Sequence, residues 1–198
     1  DNTVKSLPKC DGVEFIYYSI KDGSRWSGTH AFRRINTRGS RETSLCFSPD
    51  GKMLFFVSDA DYKGAVGGKD IYYCQRDEDG DWSKPVNMGP LINTPYNEEG
   101  VSMSPDGKTL YFSSKGHPGM GGYDIFYTTR TESGWSKPVN MGYPINTPDD
   151  DLFYLPLSRG KLAYLSSNRE NTVGGKDIYK IIFLGAAKEF VSLGEASP

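Results

Sequence analysis

The residues able to do chemistry fall into sets, and most of the sets recur along the chain. Glu98 and Glu99, then Asp149, Asp150 and Asp151, stand at equivalent places ahead of two strand-like runs. Carboxylate oxygens converging on one point suit calcium, and a metal or carboxylate pair in a central channel is what a hydrolase needs. The plainer reading of both clusters is a solvated acidic rim, with no metal expected. Asp50 and Asp106 each stand third in Ser-Pro-Asp-Gly, where an Asp side chain accepts from the amides of its own turn. Asp70, Asp124 and Asp177 each follow Gly-Gly-x, and recurrence in every unit points to a hydrogen bond that maintains the fold at a strand entry. A catalytic residue would normally occur once. No Lys-Ser/Thr follows the glycine pairs, so backbone geometry explains them better than a phosphate cradle does. Trp26, Trp82 and Trp135 could stack on sugar rings, yet their recurrence favours packing between adjacent sheets. Cys10, Cys46 and Cys74 lack paired ligand spacing, and only His30 and His117 accompany them, so no zinc-like set is present in the sequence.

The elements that must position these residues are strands. The chain has 198 residues, 36% hydrophobic and 24% charged, with 23 Gly, 12 Pro, 13 Tyr and 10 Phe, a balance that disfavours helix and favours turns and sheets. A net charge of −2 and a pI near 5.7 supply no basic field for nucleic acid or an anionic membrane. No apolar run reaches the roughly 18 residues of a membrane span. The locally basic Arg33, Arg34, Arg38 and Arg41 read as a solvated loop, with an acidic-partner site as the alternative. Because Asp1 is not an initiator, the chain reads as a processed or excised piece of something longer.

A repeat decides the architecture. Gly67-Gly68-Lys69-Asp70-Ile71-Tyr72 returns from Gly121 and from Gly174, at intervals of 54 and 53 residues, and Ile92-Asn93-Thr94-Pro95 returns from Ile145 after 53, with a degenerate copy in Ile35-Asn36-Thr37. Within the unit from Glu98 to Asp150, four strands are expected. They are Val101 to Ser104, a type I turn, Thr109 to Ser113, a long glycine-rich loop, Asp124 to Thr129, and a short strand opening at Gly134-Trp135-Ser136 before Pro138. The preceding unit repeats this order, the last stops after its third strand, and Glu14 to Ile20 with Trp26 read as the third and fourth strands of a unit whose first half is missing or altered. The expected fold is therefore all-β, a β-propeller of four-stranded antiparallel blades with about three and a half to four present, forming part of a ring or a small one. The divisions are an irregular segment over 1–12, blades over 13–42, 43–97, 98–150 and 151–183, and a tail or linker over 184–198.

Ser-Pro-Asp-Gly, Gly-Gly-x-Asp-Ile-aromatic, and the string from Trp82 to Pro95 repeated from Trp135 to Pro148 resemble the WD40-like Pro-Asp repeat of TolB-type bacterial propellers. The version with Trp-Ser-Lys-Pro-Val-Asn-Met-Gly is similar to that of OmpA-family cell-envelope proteins of Bacteroidetes, among them components of the type IX secretion system. The resemblance implies a periplasmic, outer-membrane-associated location and a role in protein transport or in holding an envelope complex. Contact with peptidoglycan would come through domains outside this chain.

With every repeated feature explained by the scaffold, the expected function is protein–protein interaction rather than catalysis, with no cofactor, no nucleic acid and no membrane insertion. A propeller hydrolase or a glycan-binding module with an acidic channel is the alternative. Specificity needs residues outside the shared scaffold, so the candidate binding residues lie on the loops that differ between units: Asp59, Asp61, Tyr62 and Lys63; Lys115, His117 and Met120; Asn168, Arg169 and Glu170.

Overall fold

A computed structural model describes residues 14–157, 160–170 and 172–184, and the expected N-terminal segment and most of the expected tail lie outside these. The described residues are all-β, with antiparallel sheets that follow one another in chain order and do not close into a ring. The first unit contributes β1 (Tyr17–Tyr18) paired with β4 (His30–Ala31), and the small hairpin β2 (Lys21–Asp22) and β3 (Arg25–Trp26). The next sheet has the order β5 (Glu42–Phe47), β6 (Met53–Ser58), β7 (Asp70–Gln75) and β8 (Val86–Asn87). The third contains β9 (Glu98–Met103), β10 (Thr109–Ser114) and β11 (Asp124–Thr131), with β12 (Gly134–Trp135) and β13 (Val139–Asn140) both on β11. The last holds β14 (Asp151–Leu157), β15 (Leu162–Ser167) and β16 (Asp177–Ile182).

Two boundaries differ from the sequence expectation. The inner strands start earlier, at Glu42, Glu98 and Asp151, so Glu98, Glu99 and Asp151 lie within strands while Asp149 and Asp150 still lead into one. The fourth strand is interrupted at Pro85 and Pro138, which have no N–H for the ladder, and pairing resumes at the Val-Asn after each proline.

The alternation of apolar residues on β6, β10 and β15 places one set of side chains on each face. Three apolar layers result. Leu54, Phe56, Tyr72 and Cys74 pack towards Ile16 and Phe32 of the first unit. Met53, Phe55, Val57 and Ile71 meet Leu110, Phe112 and Val101, and Tyr111 and Ile125 meet Tyr154, Ala163 and Leu165. The inner strands β5, β9 and β14 lie side by side. Each carries an irregularity with positive φ at its third residue, namely Ser44 (φ 52), Gly100 (φ 62) and Phe153 (φ 54). The Gly100 N–H donates to Ser44 Oγ (3.3 Å), and a Cβ at Gly100 would lie 2.8 Å from the Phe153 nitrogen. The bulges thus stack directly on one another.

Between units the glycine pairs sit against backbone. A Cβ on Gly67 would fall 2.1 Å from the Thr94 carbonyl oxygen, and one on Gly121 2.3 Å from that of Asp149 and 2.5 Å from that of Thr147. The equivalents in the last unit, Gly174 and Gly175, meet nothing within 4 Å. Chemical or thermal melts should therefore separate identical substitutions. Gly121→Ala is expected to destabilise by about 2–3 kcal/mol through overpacking, whereas Gly175→Ala should leave stability within about 0.5 kcal/mol. Equal costs at the two positions would contradict this packing.

Candidate functional site

The first acidic residue of each inner strand is not part of a solvated rim, whereas Asp149, just ahead of β14, is exposed. Glu42, Glu98 and Asp151 are buried, and the last two reach back to the connection between units. Thr94 donates its N–H and hydroxyl to Glu98 (3.1 and 2.7 Å), and Ser114 Oγ donates to the same carboxylate (2.8 Å). Asp151 accepts the Thr147 N–H and hydroxyl (2.6 and 2.9 Å) and pairs with Arg169 (2.7 Å). Burial outweighs the hydrogen bonds to Glu42 and Glu98 and pushes both carboxyls up to about 7. Glu99 pairs with Lys69, Asp150 with Lys176 (3.2 Å), and Asp150 also accepts the Tyr123 N–H (3.0 Å). Of the five calcium candidates, Glu98, Glu99, Asp150 and Asp151 thus spend oxygens on separate protein donors, while Asp149 is exposed. Among the described residues no three His, Cys, Asp or Glu side chains converge as a metal-binding group.

The other repeated polar residues are also tied in. Asp50 and Asp106 accept from Ser48 and Ser104 hydroxyls (2.5 Å each) and from the Lys52 and Lys108 N–H groups (3.0 Å each), bonds that lower both carboxyls. Asp70 accepts from Val66, Gly67 and Asn87, Asp124 from Met120 and Gly121, and Asp177 from Val173. The tryptophans each carry a cation from the preceding strand: Lys21 lies over Trp26 (5.6 Å), Arg76 over Trp82 (5.7 Å) and Arg130 over Trp135 (6.0 Å). Trp135 also meets Phe55 edge-on, while Trp26 is 65% exposed.

The variable loops hold a convergence that residue identity hides. Tyr62 Oη donates to the Ile35 carbonyl (2.7 Å), Arg169 Nη2 donates to that of Ile145 (2.8 Å), and His117 Nε2 lies 2.8 Å from that of Ile92. Three different side chains thus cap the same carbonyl of successive Ile-Asn-Thr loops. Tyr62, His117 and Arg169, expected as binding residues, serve the framework in this arrangement. Asp59 accepts the Arg41 N–H (2.7 Å) and Lys115 lies over the Tyr123 ring (4.6 Å). Both are exposed, as are Asp61, Lys63, Met120, Asn168 and Glu170.

Sequence reasoning missed an open groove of about 1010 Å³ between the first unit and the sheet from β5 to β8. Tyr18, His30, Phe32, Phe47 and Trp82 form a continuous aromatic cluster there, with Phe47 5.8 Å and Phe32 6.4 Å from the Trp82 ring and Tyr18 5.7 Å from Phe32. Arg33 and Arg76 also line it. The groove lies where the first unit lacks inner strands among the described residues: Trp135 has Phe55 of a preceding β6 to pack on, and Trp82 has no counterpart of it. The first half-unit, expected to be missing or altered, was the available signal.

Comparison with known proteins places little around this site. No family model matches the chain, and no curated protein does. A matching solved structure, from Bacteroides uniformis and named a "putative 6-phosphogluconolactonase", is 16% identical with a TM-score of 0.40 over 85% of this chain. The chain spans 49% of that protein's length. One expectation is corrected by this match. The sequence reading excludes an enzyme, but the matching structure bears an enzyme's name, and a scaffold of repeated residues does not exclude a catalytic site built from unrepeated ones. The exclusion of catalysis is withdrawn.

The buried glutamates make stability depend on pH in an unusual direction. Their folded forms hold a proton up to about pH 7, while the unfolded chain releases it near 4.5. The stabilisation is therefore complete below about pH 4.5 and is lost as pH rises through 7. Denaturant melts should show stability falling between about pH 5 and pH 8, by on the order of 2 kcal/mol through Glu98. Glu98→Gln should flatten the profile, and a wild-type stability that rises over this interval would contradict the burial argument.

Proposed function

We propose that the chain is part of a β-propeller of four-stranded blades that binds another protein, and that it does so within a periplasmic, outer-membrane-associated complex. The blade reading is supported by equal units packed in chain order with their inner strands adjacent. The envelope setting is supported by the resemblance of the Ser-Pro-Asp-Gly and Trp-Ser-Lys-Pro-Val-Asn-Met-Gly strings alone.

The observation that carries the binding reading is the aromatic groove. Tyr18 and Phe47 are each nearly half exposed there, beside Trp82, Arg33 and Arg76. Aromatic and arginine side chains on a rigid frame are the residues that dominate protein interfaces. The repeated polar residues, by contrast, have their hydrogen bonds inside the framework.

The test is capture of partners from envelope extract by crosslinking and mass spectrometry, followed by binding measurements with Tyr18→Ser/Phe47→Ser and with Val139→Ser, an exposed control on β13. The groove variant should weaken partner binding by roughly tenfold or more, with an unchanged Tm, and the control should not. Equal binding by both variants would remove the groove from the proposal. Binding of glycan instead of protein, or hydrolysis of 6-phosphogluconolactone lost in the groove variant, would replace the reading.

A further inference from the structure

A second groove opens at the next junction, between the sheet from β5 to β8 and the β12 end of the following unit. Its volume of about 410 Å³ falls within the roughly 300–1,000 Å³ of ligand pockets. Tyr73, Met88, Leu91 and Met53 give it an apolar wall and Trp135 faces them, while Arg130 is the one charged group among the described residues that line it. Leu91 is 47% exposed there. Arg130 is held in place with most of its donors unspent. Its guanidinium lies over the Trp135 ring (6.0 Å) and donates to the Met53 sulfur (3.3 Å), a weak acceptor. Among the described residues no carboxylate pairs with it. Arg169, by contrast, donates to the Pro144 and Ile145 carbonyls and pairs with Asp151. A planar fork of donors fixed by a ring and a thioether matches a carboxylate that the protein itself does not supply.

The third junction shows which apolar side chain suits such a groove. Arg76, Arg130 and Phe183 hold equivalent places, each giving its N–H to the carbonyl of Lys52, Lys108 or Lys161. Tyr127 and Met141 correspond in the same way to Tyr73 and Met88: the tyrosines pair with Val139 and Val86, and the methionines donate to the Ile125 and Ile71 carbonyls. Phe183 packs in one layer with Tyr127 and Met141. Where the repeat has no arginine, it therefore adds an aromatic ring to this Tyr and Met. We propose that the groove binds an extended peptide segment of a partner protein, which seats an aromatic side chain against Met88 and Leu91 and a neighbouring carboxylate on Arg130. The site is separate from the groove at Trp82, so it stands apart from the reading given to that groove.

The test uses an acetylated, amidated peptide that alternates benzoylphenylalanine with aspartate, and a control with lysine in place of aspartate. After irradiation with the full chain, peptide mapping should place crosslinks from the aspartate peptide on residues 86–92 and 130–135, with about tenfold fewer from the lysine peptide. By fluorescence anisotropy, Arg130→Gln should weaken binding of the aspartate peptide roughly tenfold and Leu91→Ser about threefold or more. The Tyr18→Ser/Phe47→Ser variant should keep the crosslinks at this site, so a failure of the other groove is read separately. Crosslinks confined to other surfaces, equal capture of the lysine peptide, or unchanged affinity in Arg130→Gln would each overturn the proposal. If Arg130→Gln lowers Tm, the crosslinks on the wild-type chain decide.

Discussion

The structure depends on a side-chain amide that takes the place of a strand. Asn36, Asn93 and Asn146 each turn an Oδ1 and an Nδ2 towards the backbone N–H and carbonyl of one residue on the outer half of their own unit: Ile16, Ile71 and Ile125. The amide matches both peptide groups in one plane, so the end of the unit is locked to its outer half by bonds that are buried in the two complete units. The same Asn93 and Asn146 also donate to Asn87 and Asn140 (2.8 Å each). The loop that must cross from the outer edge of one sheet to the inner edge of the next is thereby held against the sheet it leaves.

The next sheet takes its position from that lock. Thr94 and Thr147 come immediately after the clamping asparagines, and their N–H and hydroxyl groups find the buried carboxylates of Glu98 and Asp151. The connection is thus tied backwards through Asn and forwards through Thr, and the orientation of one sheet to the next is set by polar bonds before any apolar contact is counted. The Ile carbonyl just ahead of the clamping Asn is held as well, by Tyr62, His117 and Arg169, each from the succeeding unit. A hydrogen bond constrains where a polar atom lands and leaves the residue type open.

This difference explains which parts were legible in the sequence. Strand number, turn chemistry and the repeat were readable because glycine, proline and alternating apolar residues act locally, and the Ser-Pro-Asp-Gly turns form from bonds spanning five residues or fewer. The clamp joins residues about twenty apart and the caps residues about twenty-five apart, so composition and local spacing carry no trace of which partner is met. Tyr62, His117 and Arg169 looked variable, and therefore free, because the shared quantity is a donor position in space. The acidic clusters misled in the opposite way: adjacent carboxylates suggested water or calcium, while strand alternation sends Glu98 inward and leaves Glu99 partly exposed with Lys69.

The two ends of the described body are where this logic is incomplete, and they are also where apolar side chains meet solvent. At one end the first unit brings its third and fourth strands and its Asn36 clamp without an inner pair, which leaves Trp82, Phe47 and Phe32 facing a groove. At the other, β16 has its third-strand sequence with neither clamp nor succeeding sheet among the described residues, which leaves Ile178 and Ile182 bare. The interior units show what such surfaces do when complete, since the equivalent Ile71 and Ile125 are fully buried. A repeat protein hides apolar area only by neighbour contact. The apolar faces at its two ends therefore need no special device beyond the pattern the repeat already makes, and the interior units show which side chains cover such faces.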